Sequence, residues 1–265
     1  QKKLTDAFQI LHDKLHDWNP DLVIVIGDDQ QENFLPQNLP TFCFYTGSEL
    51  VGHPFHGPGA KINLWEAPQD TRYEFKAPEH FAKDLVAFLV RDGFDMSSAT
   101  ELKEHKWGLP HAHVNPMMFL NQDGAIPVLP LFVNCIGEDA GNGYTPRPTA
   151  KRCYELGQGI RRFLDTRDER VAIIASSSWS HFFLTDKFNR CAFDVEFDRK
   201  NLEILKQGNT SKLAELTPTE IQESGDHEFL NWIIALGAIG EKPAEIVEVL
   251  DEQSQVSFKV FALWE

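Results

Sequence analysis

Cysteine is scarce in this sequence, and long apolar runs are absent from it. The four cysteines, Cys43, Cys135, Cys153 and Cys191, lie far apart and form no CxxC motif. This spacing argues against a disulfide framework and predicts reduced, buried thiols in a cytoplasmic protein. No apolar run approaches the ~18–20 residues that cross a bilayer, and no apolar signal-peptide segment follows the N-terminus. We therefore expect no membrane association.

Basic residues are also few, and they do not gather into one stripe. The chain has 25 Lys and Arg against 40 Asp and Glu, which gives a formal net charge of −15. A surface of this kind repels phosphate backbones and argues against nucleic acid as a partner. What is abundant is core material: 42% of the residues are hydrophobic, with 20 Phe and 6 Trp. A length of 265 residues suits one large α/β domain better than two small ones.

Apolar patterning predicts strands that alternate with helices. The predicted strands cover residues 21–27, 40–45, 126–133, 170–175 and 256–264. The predicted helices cover residues 2–17, 78–92, 149–164, 195–207, 211–216 and 228–237. Two prolines in 126–133 favour an irregular or edge position for that strand, and residues 46–77, rich in Gly, Pro and His, favour a long loop. The alternation predicts one α/β domain over residues 1–265, with a mostly parallel central sheet and helices on both faces.

Polar side chains follow two of these predicted strands, where open α/β sheets place their sites. Residues 27–34 read Gly-Asp-Asp-Gln-Gln-Glu-Asn-Phe, and such a group can coordinate a metal, although taken alone Asp28 and Asp29 are better explained as caps of a turn. In residues 176–184 a run of small residues leads to His181. A lone histidine is more often structural, but histidine exchanges protons near neutral pH and small neighbours leave room for a ligand. A serine nucleophile in this run is not favoured, because the GxSxG elbow is missing.

Two further segments carry candidate ligands. His111 and His113 lie two residues apart, so in an extended segment they would point the same way. A zinc site there is weakly supported, since no cysteine or third histidine lies at suitable spacing. Glu228 opens the helix predicted at 228–237. It is either a carboxylate metal ligand or an acidic residue favoured at that position by the helix dipole alone.

The ordered set of motifs resembles one enzyme family. The most specific stretches are residues 126–134 (Ile-Pro-Val-Leu-Pro-Leu-Phe-Val-Asn), 152–162 (Arg-Cys-Tyr-Glu-Leu-Gly-Gln-Gly-Ile-Arg-Arg) and Ser180-His181. They resemble the class III extradiol dioxygenases, the superfamily of the protocatechuate 4,5-dioxygenase β subunit, over nearly the whole chain from residue 20. The Gly-Asp-Asp-Gln element is most similar to branches that act on gallate-type or methoxylated substrates.

The resemblance implies roles for individual residues. His181 matches the acid–base histidine of the family, and His111 matches the histidine that holds the substrate or the oxygen-derived intermediate. Glu228 matches the carboxylate of a 2-His-1-carboxylate Fe(II) site. Non-haem Fe(II)-dependent, extradiol cleavage of a catecholic or gallate-type aromatic with O2 is therefore the expected activity, in a homo- or hetero-oligomer.

Two departures affect the metal site. The first histidine ligand of the family lies on an N-terminal strand, whereas this chain, which does not start with Met, begins with a predicted helix, so we expect that strand to be missing. The second histidine usually follows Asp, and here Gln30 follows Asp29. Gln30 could offer a carbonyl oxygen to the metal, or His53 or His56 could substitute. The alternative function is a non-catalytic homologous subunit with a decayed metal site; retention of His181, His111 and Glu228 opposes it.

Overall fold

The structure is a computed structural model. It describes residues 2–55, 67–103, 108–136, 147–252 and 256–265. The strands are β1 (Leu22–Asp28), β2 (Phe42–Tyr45), β3 (Glu49–Gly52), β4 (Tyr73–Lys76), β5 (Ser97–Ala99), β6 (Val128–Val133), β7 (Val171–Ala175), β8 (Glu245–Leu250) and β9 (Lys259–Leu263). The α-helices are α1 (Lys2–Trp18), α2 (Glu79–Arg91), α3 (His111–Leu120), α4 (Ala150–Leu164), α5 (Val195–Gln207), α6 (Pro218–Ser224) and α7 (Phe229–Ile239). None of the helices in these ranges is long and apolar enough to span a membrane.

Five strands form the central sheet, in the order β5-β2-β6-β1-β7. Strand β1 is buried along its whole length and runs parallel to both β6 and β7. A continuous apolar run is typical of a parallel strand covered on both faces. Strand β2 is antiparallel to β6 and parallel to β5. The prediction of a mostly parallel sheet is confirmed.

Helices cover both faces of this sheet, as the alternation of elements predicted. Leu22, Ile24 and Ile26 of β1 point into a core shared with α2, α4, α5 and α7. Val23 and Val25 point into the opposite core, which α1 and α3 complete. Side chains alternate between faces because a strand has a period of two residues. The sequence of β1 therefore builds both cores at once.

Close contact between α4 and α7 fixes the helix that Glu228 precedes. A Cβ added at Gly157 would lie 2.0 Å from the carbonyl oxygen of Ile234, and one added at Gly237 would lie 2.2 Å from that of Tyr154. Only glycine permits backbones to approach so closely. The position of α7 is therefore set by two glycines, one on each helix.

The edge position predicted for the strand at 126–133 is wrong. Strand β6 lies at the centre of the sheet, between β2 and β1. Pro130 pairs in register with Val25 of β1, but β2 pairs only with residues 131–133 of β6. A proline cannot donate to a ladder, and here it lies outside the part of β6 that β2 covers. Proline is therefore tolerated in a central strand.

The loop predicted over residues 46–77 is also partly wrong. Strands β3 and β4 lie in this range and form an antiparallel pair. Residues 56–66, which include His56, lie outside the described residues.

The four cysteine thiols are free, as predicted, but only three of them are buried, since Cys191 is exposed. Besides β3 and β4, four further elements were not predicted from the sequence: α3, α6, β5 and β8.

Candidate active site

The carboxyl ends of the parallel strands meet at one edge of the sheet, and the candidate residues follow them. Asp28 ends β1 and is level with Val133 of β6. Ser176 follows β7 directly, and its backbone N–H donates to the carbonyl of Ile26 in the neighbouring strand β1 (2.8 Å). Polar groups from separate strands are therefore brought together at the edge where open α/β sheets bind ligands.

Glu228 is the centre of this polar group. It precedes α7 and is 7% exposed. Its Oε1 accepts a hydrogen bond from Nε2 of Gln30 (2.9 Å), and its Oε2 accepts one from the backbone N–H of Ser178 (3.2 Å). Burial raises the pKa of Glu228 to about 8, and the nearby charge of Asp28 acts in the same direction. The carboxylate is thus held between the segments that follow β1 and β7.

His181 lies against this carboxylate. Its Nε2 is 3.8 Å from Oε1 of Glu228. Its backbone N–H donates to the carbonyl of Gly225 (3.1 Å), which ties the His181 segment to the turn before α7. Burial lowers the pKa of His181 to about 4, with a smaller contribution from the positive charge of Lys259. His181 is therefore neutral at pH 7 and can accept a proton.

His111 has the opposite electrostatic state. Its Nδ1 is 2.9 Å from Oε1 of Glu32, and its backbone N–H donates to Oε2 of the same carboxylate (2.8 Å). Burial alone would lower the pKa of His111, but the hydrogen bond to Glu32 and the charges of Glu32, Asp28 and Glu228 raise it to about 9. His111 is an imidazolium at neutral pH and offers a positive charge to the site.

His113 does not share this site, and it does not point the same way as His111. Both residues lie on α3 rather than in an extended segment, and residues two apart on a helix diverge by about 200°. His113 is fully buried, with Nε2 3.2 Å from the carbonyl oxygen of Leu131. Burial lowers its pKa to about 3. His113 is a core residue of the opposite face.

The two aspartates after β1 differ in role. Asp29 accepts hydrogen bonds from the backbone N–H groups of Asn33 (2.9 Å) and Phe34 (2.8 Å), so it caps the turn. Asp28 is 1% exposed, and burial raises its pKa, with Glu32 adding and His111 opposing. The turn is strained, because Gln30 and Gln31 have φ values of 45° and 62°, a region that non-glycine residues seldom occupy. This conformation carries Gln30 to Glu228.

The described residues do not fit a complete iron site. Within the ranges that the structure covers, no group of three or more His, Cys, Asp or Glu side chains is placed to hold a metal ion. His53 lies within these ranges and belongs to no such group. A 2-His-1-carboxylate site needs two imidazoles beside the carboxylate. Here the amide of Gln30 donates to Glu228 where an imidazole would be required. Glu228 is the carboxylate of an incomplete set.

A cavity of about 290 Å³ borders the polar group. Asp28 and Gln30 line it, whereas His111, His181 and Glu228 are not among its lining residues. The apolar part of the wall comes from Phe34, Leu39, Pro40, Phe132, Val133, Ile136, Phe183 and Leu184. Aromatic and aliphatic walls with a few polar groups at one side are typical of pockets for small aromatic ligands.

Two charged residues of the site were missed from the sequence. Glu32 was noted only as part of the run after β1, and its contact with His111 joins residues 79 positions apart. Lys259 donates from Nζ to the hydroxyl of Ser257 (2.9 Å), and Ser257 forms a β-bridge with His181. The positive charge of Lys259 interacts electrostatically with His181 and with Glu228. No local motif marks either residue, because both contacts depend on the folded chain.

Comparisons with known proteins give a matching family model, a related fold and curated relatives. A family model described as the catalytic LigB subunit of aromatic ring-opening dioxygenase matches residues 1–260. A solved structure of an uncharacterized protein from Escherichia coli K12 has the same fold, with a TM-score of 0.58 and 14% identity over 97% of this chain and 91% of that one.

Two curated relatives share the name 2,3-dihydroxyphenylpropionate/2,3-dihydroxicinnamic acid 1,2-dioxygenase. The one from Photorhabdus laumondii is 29% identical over 68% of this chain and 49% of its own length. The one from Mycolicibacterium smegmatis is 24% identical over 89% of this chain and 82% of its own length. The chain thus spans about half the length of the first relative and most of the second.

Proposed function

Because the chain belongs to the family of catalytic LigB subunits of aromatic ring-opening dioxygenases, we propose that it cleaves an aromatic ring beside a vicinal diol and incorporates both atoms of O2. The observation that carries this proposal is the contact of His181 Nε2 with Glu228 Oε1 at 3.8 Å, within the electrostatic reach of His111. A neutral base and an imidazolium thus act on one buried carboxyl group.

The histidines have separate tasks in this proposal. His181, neutral at pH 7 because its pKa is lowered to about 4, accepts a proton from a hydroxyl of the diol and later returns it to the product. His111, cationic because its pKa is raised to about 9, stabilises negative charge on an oxygen of the substrate. Charge-assisted hydrogen bonds of this kind are about twice as strong as neutral ones.

Fe(II) is the cofactor that we propose, with Glu228 as a ligand. A bound ferrous ion would supply chelation of the diol and electron transfer to O2. The described residues do not complete its ligand set, and His53 belongs to no metal-binding group among them, so the further ligand would be His56 or the carbonyl oxygen of Gln30. Amide oxygen is a poor ligand for Fe(II) beside imidazole, and we therefore expect Gln30→Ala to leave most of the metal binding intact.

The proposed substrate is a catecholic diol, as in the names of the curated relatives. The resemblance of the Gly-Asp-Asp-Gln element adds gallate-type diols as candidates.

The proposed compartment is the cytoplasm, because free thiols at all four cysteines support a reducing environment. The proposed assembly is a homo- or hetero-oligomer, which mass photometry would test.

The test is oxygen uptake by protein loaded anaerobically with Fe(II). We expect O2 consumption and a yellow ring-opened product with 2,3-dihydroxyphenylpropionate, catechol or gallate. Protein without Fe(II), and Fe(II) without protein, are the controls. Absence of O2 uptake with all three diols, in protein shown to contain iron, would contradict the proposed activity.

A second candidate is a non-catalytic homologous subunit. The hydrogen bond from Gln30 to Glu228 favours it, because it occupies the carboxylate that would otherwise face a metal. Metal analysis of wild type, Glu228→Ala and Gln30→Ala after anaerobic loading separates the two. Iron in wild type and Gln30→Ala but not in Glu228→Ala supports the enzyme. No iron in wild type, and no change in Glu228→Ala, supports the non-catalytic subunit.

A further inference from the structure

The carboxylate of Glu32 makes two contacts with one residue. Its Oε1 lies 2.9 Å from Nδ1 of His111, and its Oε2 accepts from the backbone N–H of His111 at 2.8 Å. Because both ends of the carboxylate are engaged, neither the ring nor the start of α3 can rotate without breaking a charge-assisted hydrogen bond. The ring of His111 is fixed in orientation.

The two side chains of this pair are unequally exposed. The side chain of Glu32 is 8% exposed and that of His111 is 43% exposed. The carboxylate is therefore behind the ring, and Nδ1 faces it. Within the residues that the structure describes, no hydrogen bond reaches Nε2 of His111, so this nitrogen belongs to the open side of the ring.

The ring of His111 lies within electrostatic reach of the polar group. The charges of Asp28 and Glu228 both act on His111, and the charge of His111 acts in turn on Glu228 and His181. An Nε2–H donor held on the open side of the ring is available to an oxygen atom of a bound ligand. Both ring nitrogens of an imidazolium carry protons, so a carboxylate on Nδ1 orients the ring and leaves Nε2–H pointing to the other side.

We propose, on the basis of the ring-cleavage function above, that Glu32 is a positioning residue: it fixes the ring of His111 by accepting the Nδ1 proton, so that Nε2–H is presented to the substrate. The competing explanation is a helix cap, since His111 is the first residue of α3 and a carboxylate at a helix N-terminus is stabilising by itself. A cap would stabilise α3 without acting through the imidazole.

A double-mutant cycle separates these explanations. We expect Glu32→Ala to lower kcat/KM by ~10–100-fold, as loss of a supporting carboxylate typically does. In the His111→Ala background the same change should cost less than ~2-fold, because coupled residues are non-additive. An equal loss of kcat/KM in both backgrounds would overturn the proposal in favour of a cap. Glu32→Gln, which can still accept from Nδ1–H, should recover part of the loss.

Glu220→Ala is the matched control for a lost cap. Glu220 accepts from the backbone N–H of Thr217 (2.9 Å) in the capping box of α6, and it has no contact with His111. Both Glu220→Ala and Glu32→Ala should lower Tm, but only Glu32→Ala should lower kcat/KM. If Glu220→Ala lowers kcat/KM as much as Glu32→Ala, the effect is one of stability and the proposal fails.

Nitrogen-15 NMR of the histidine rings provides a readout that does not need turnover. In metal-free wild type, we expect the Nδ1 of His111 to be protonated and hydrogen-bonded, with the signal assigned through His111→Ala. Glu32→Ala should shift this signal towards that of a solvent-exposed ring, whereas Glu220→Ala should not. An unchanged signal in Glu32→Ala would overturn the proposal. If wild type shows no dioxygenase turnover, this experiment still decides whether Glu32 positions His111.

Discussion

His111 and His181 both lie beside the buried carboxylates, yet they are in opposite protonation states at neutral pH. His111 has a carboxylate on Nδ1, and its pKa is raised to about 9. His181 is 3.8 Å from Glu228, but burial and the charge of Lys259 lower its pKa to about 4. The difference is therefore set by the environment rather than by the residue type. Pairs of groups whose pKa values are pushed apart are typical of acid–base assignments in enzymes.

The largest expected effect comes from removal of the neutral histidine. His181→Gln keeps a polar side chain but cannot accept a proton, so turnover should fall by ~10²–10⁴-fold, the usual loss of general acid–base help. Bound iron should not change, because His181 is not a proposed ligand. Steady-state O2 uptake measures the turnover, and metal analysis measures the bound iron.

His12→Gln is the control for this prediction, because His12 is a half-buried residue on α1 whose side chain contacts Asp13 and His16 rather than the candidate site. It should retain wild-type turnover. Full activity in His181→Gln would refute the acid–base role and would leave the contact with Glu228 as a structural one.

Removal of the cationic histidine should have a different kinetic signature. His111→Gln removes a charge-assisted hydrogen bond, which is worth about 1.5–3 kcal/mol and corresponds to a ~10–150-fold loss in kcat/KM. Because this hydrogen bond is proposed to hold an oxygen of the bound substrate, most of the loss should appear in KM. If His111→Gln and His181→Gln lower kcat equally with no change in KM, the two histidines do not have separate tasks.

The patterned parts of the fold were predictable, and the contacts between distant segments were not. The apolar spacing predicts the helix at 149–164. The structure adds an N-cap, in which the side chain of Thr149 accepts a hydrogen bond from the backbone N–H of Arg152. Strand β1 was recognised because an uninterrupted apolar run fits a strand buried on both faces. These elements depend on local pattern, which the sequence displays directly.

The errors arose where partners decide the outcome. Pro130 indicated an edge, but its tolerance depends on where β2 stops pairing with β6. The segment with His111 and His113 forms α3 with Pro116 inside the helix, a helix that its sequence does not predict. The pairing of Glu32 with His111 and the approach of Lys259 to His181 join segments far apart in the chain. Such contacts follow from topology and have no local signal.

The charge on His111 should also appear in stability. A histidine whose pKa is raised on folding stabilises fully below its unfolded pKa of ~6.5, and this contribution is lost as pH rises towards about 9. Glu228, with its pKa raised to about 8, loses its contribution in the lower part of the same window. The free energy of unfolding should therefore fall between pH 7 and pH 9.

Glu32→Gln isolates the part due to His111. One proton changes the free energy of unfolding by at most about 1.4 kcal/mol per pH unit, and by less here, because the His111 side chain is 43% exposed and water screens the pair. Urea unfolding of wild type and Glu32→Gln at pH 7, 8 and 9 gives the difference, in which the titrating groups that Glu32 does not act on cancel. Parallel pH curves for the two proteins would contradict the charge assigned to His111.

The smallest effect is expected at Lys259, and it tests the other histidine. Removing a nearby positive charge favours the protonated form of an imidazole, so Lys259→Met should raise the pKa of His181 from about 4, by less than burial lowers it. The acid limb of kcat/KM should move to higher pH in the same direction as an NMR titration of His181 in metal-free protein. Lys259→Arg keeps the charge and should leave both unchanged. If Lys259→Met and Lys259→Arg give the same His181 pKa, burial alone keeps this histidine neutral, and the contrast with His111 arises from one carboxylate rather than from opposite charges at the two rings.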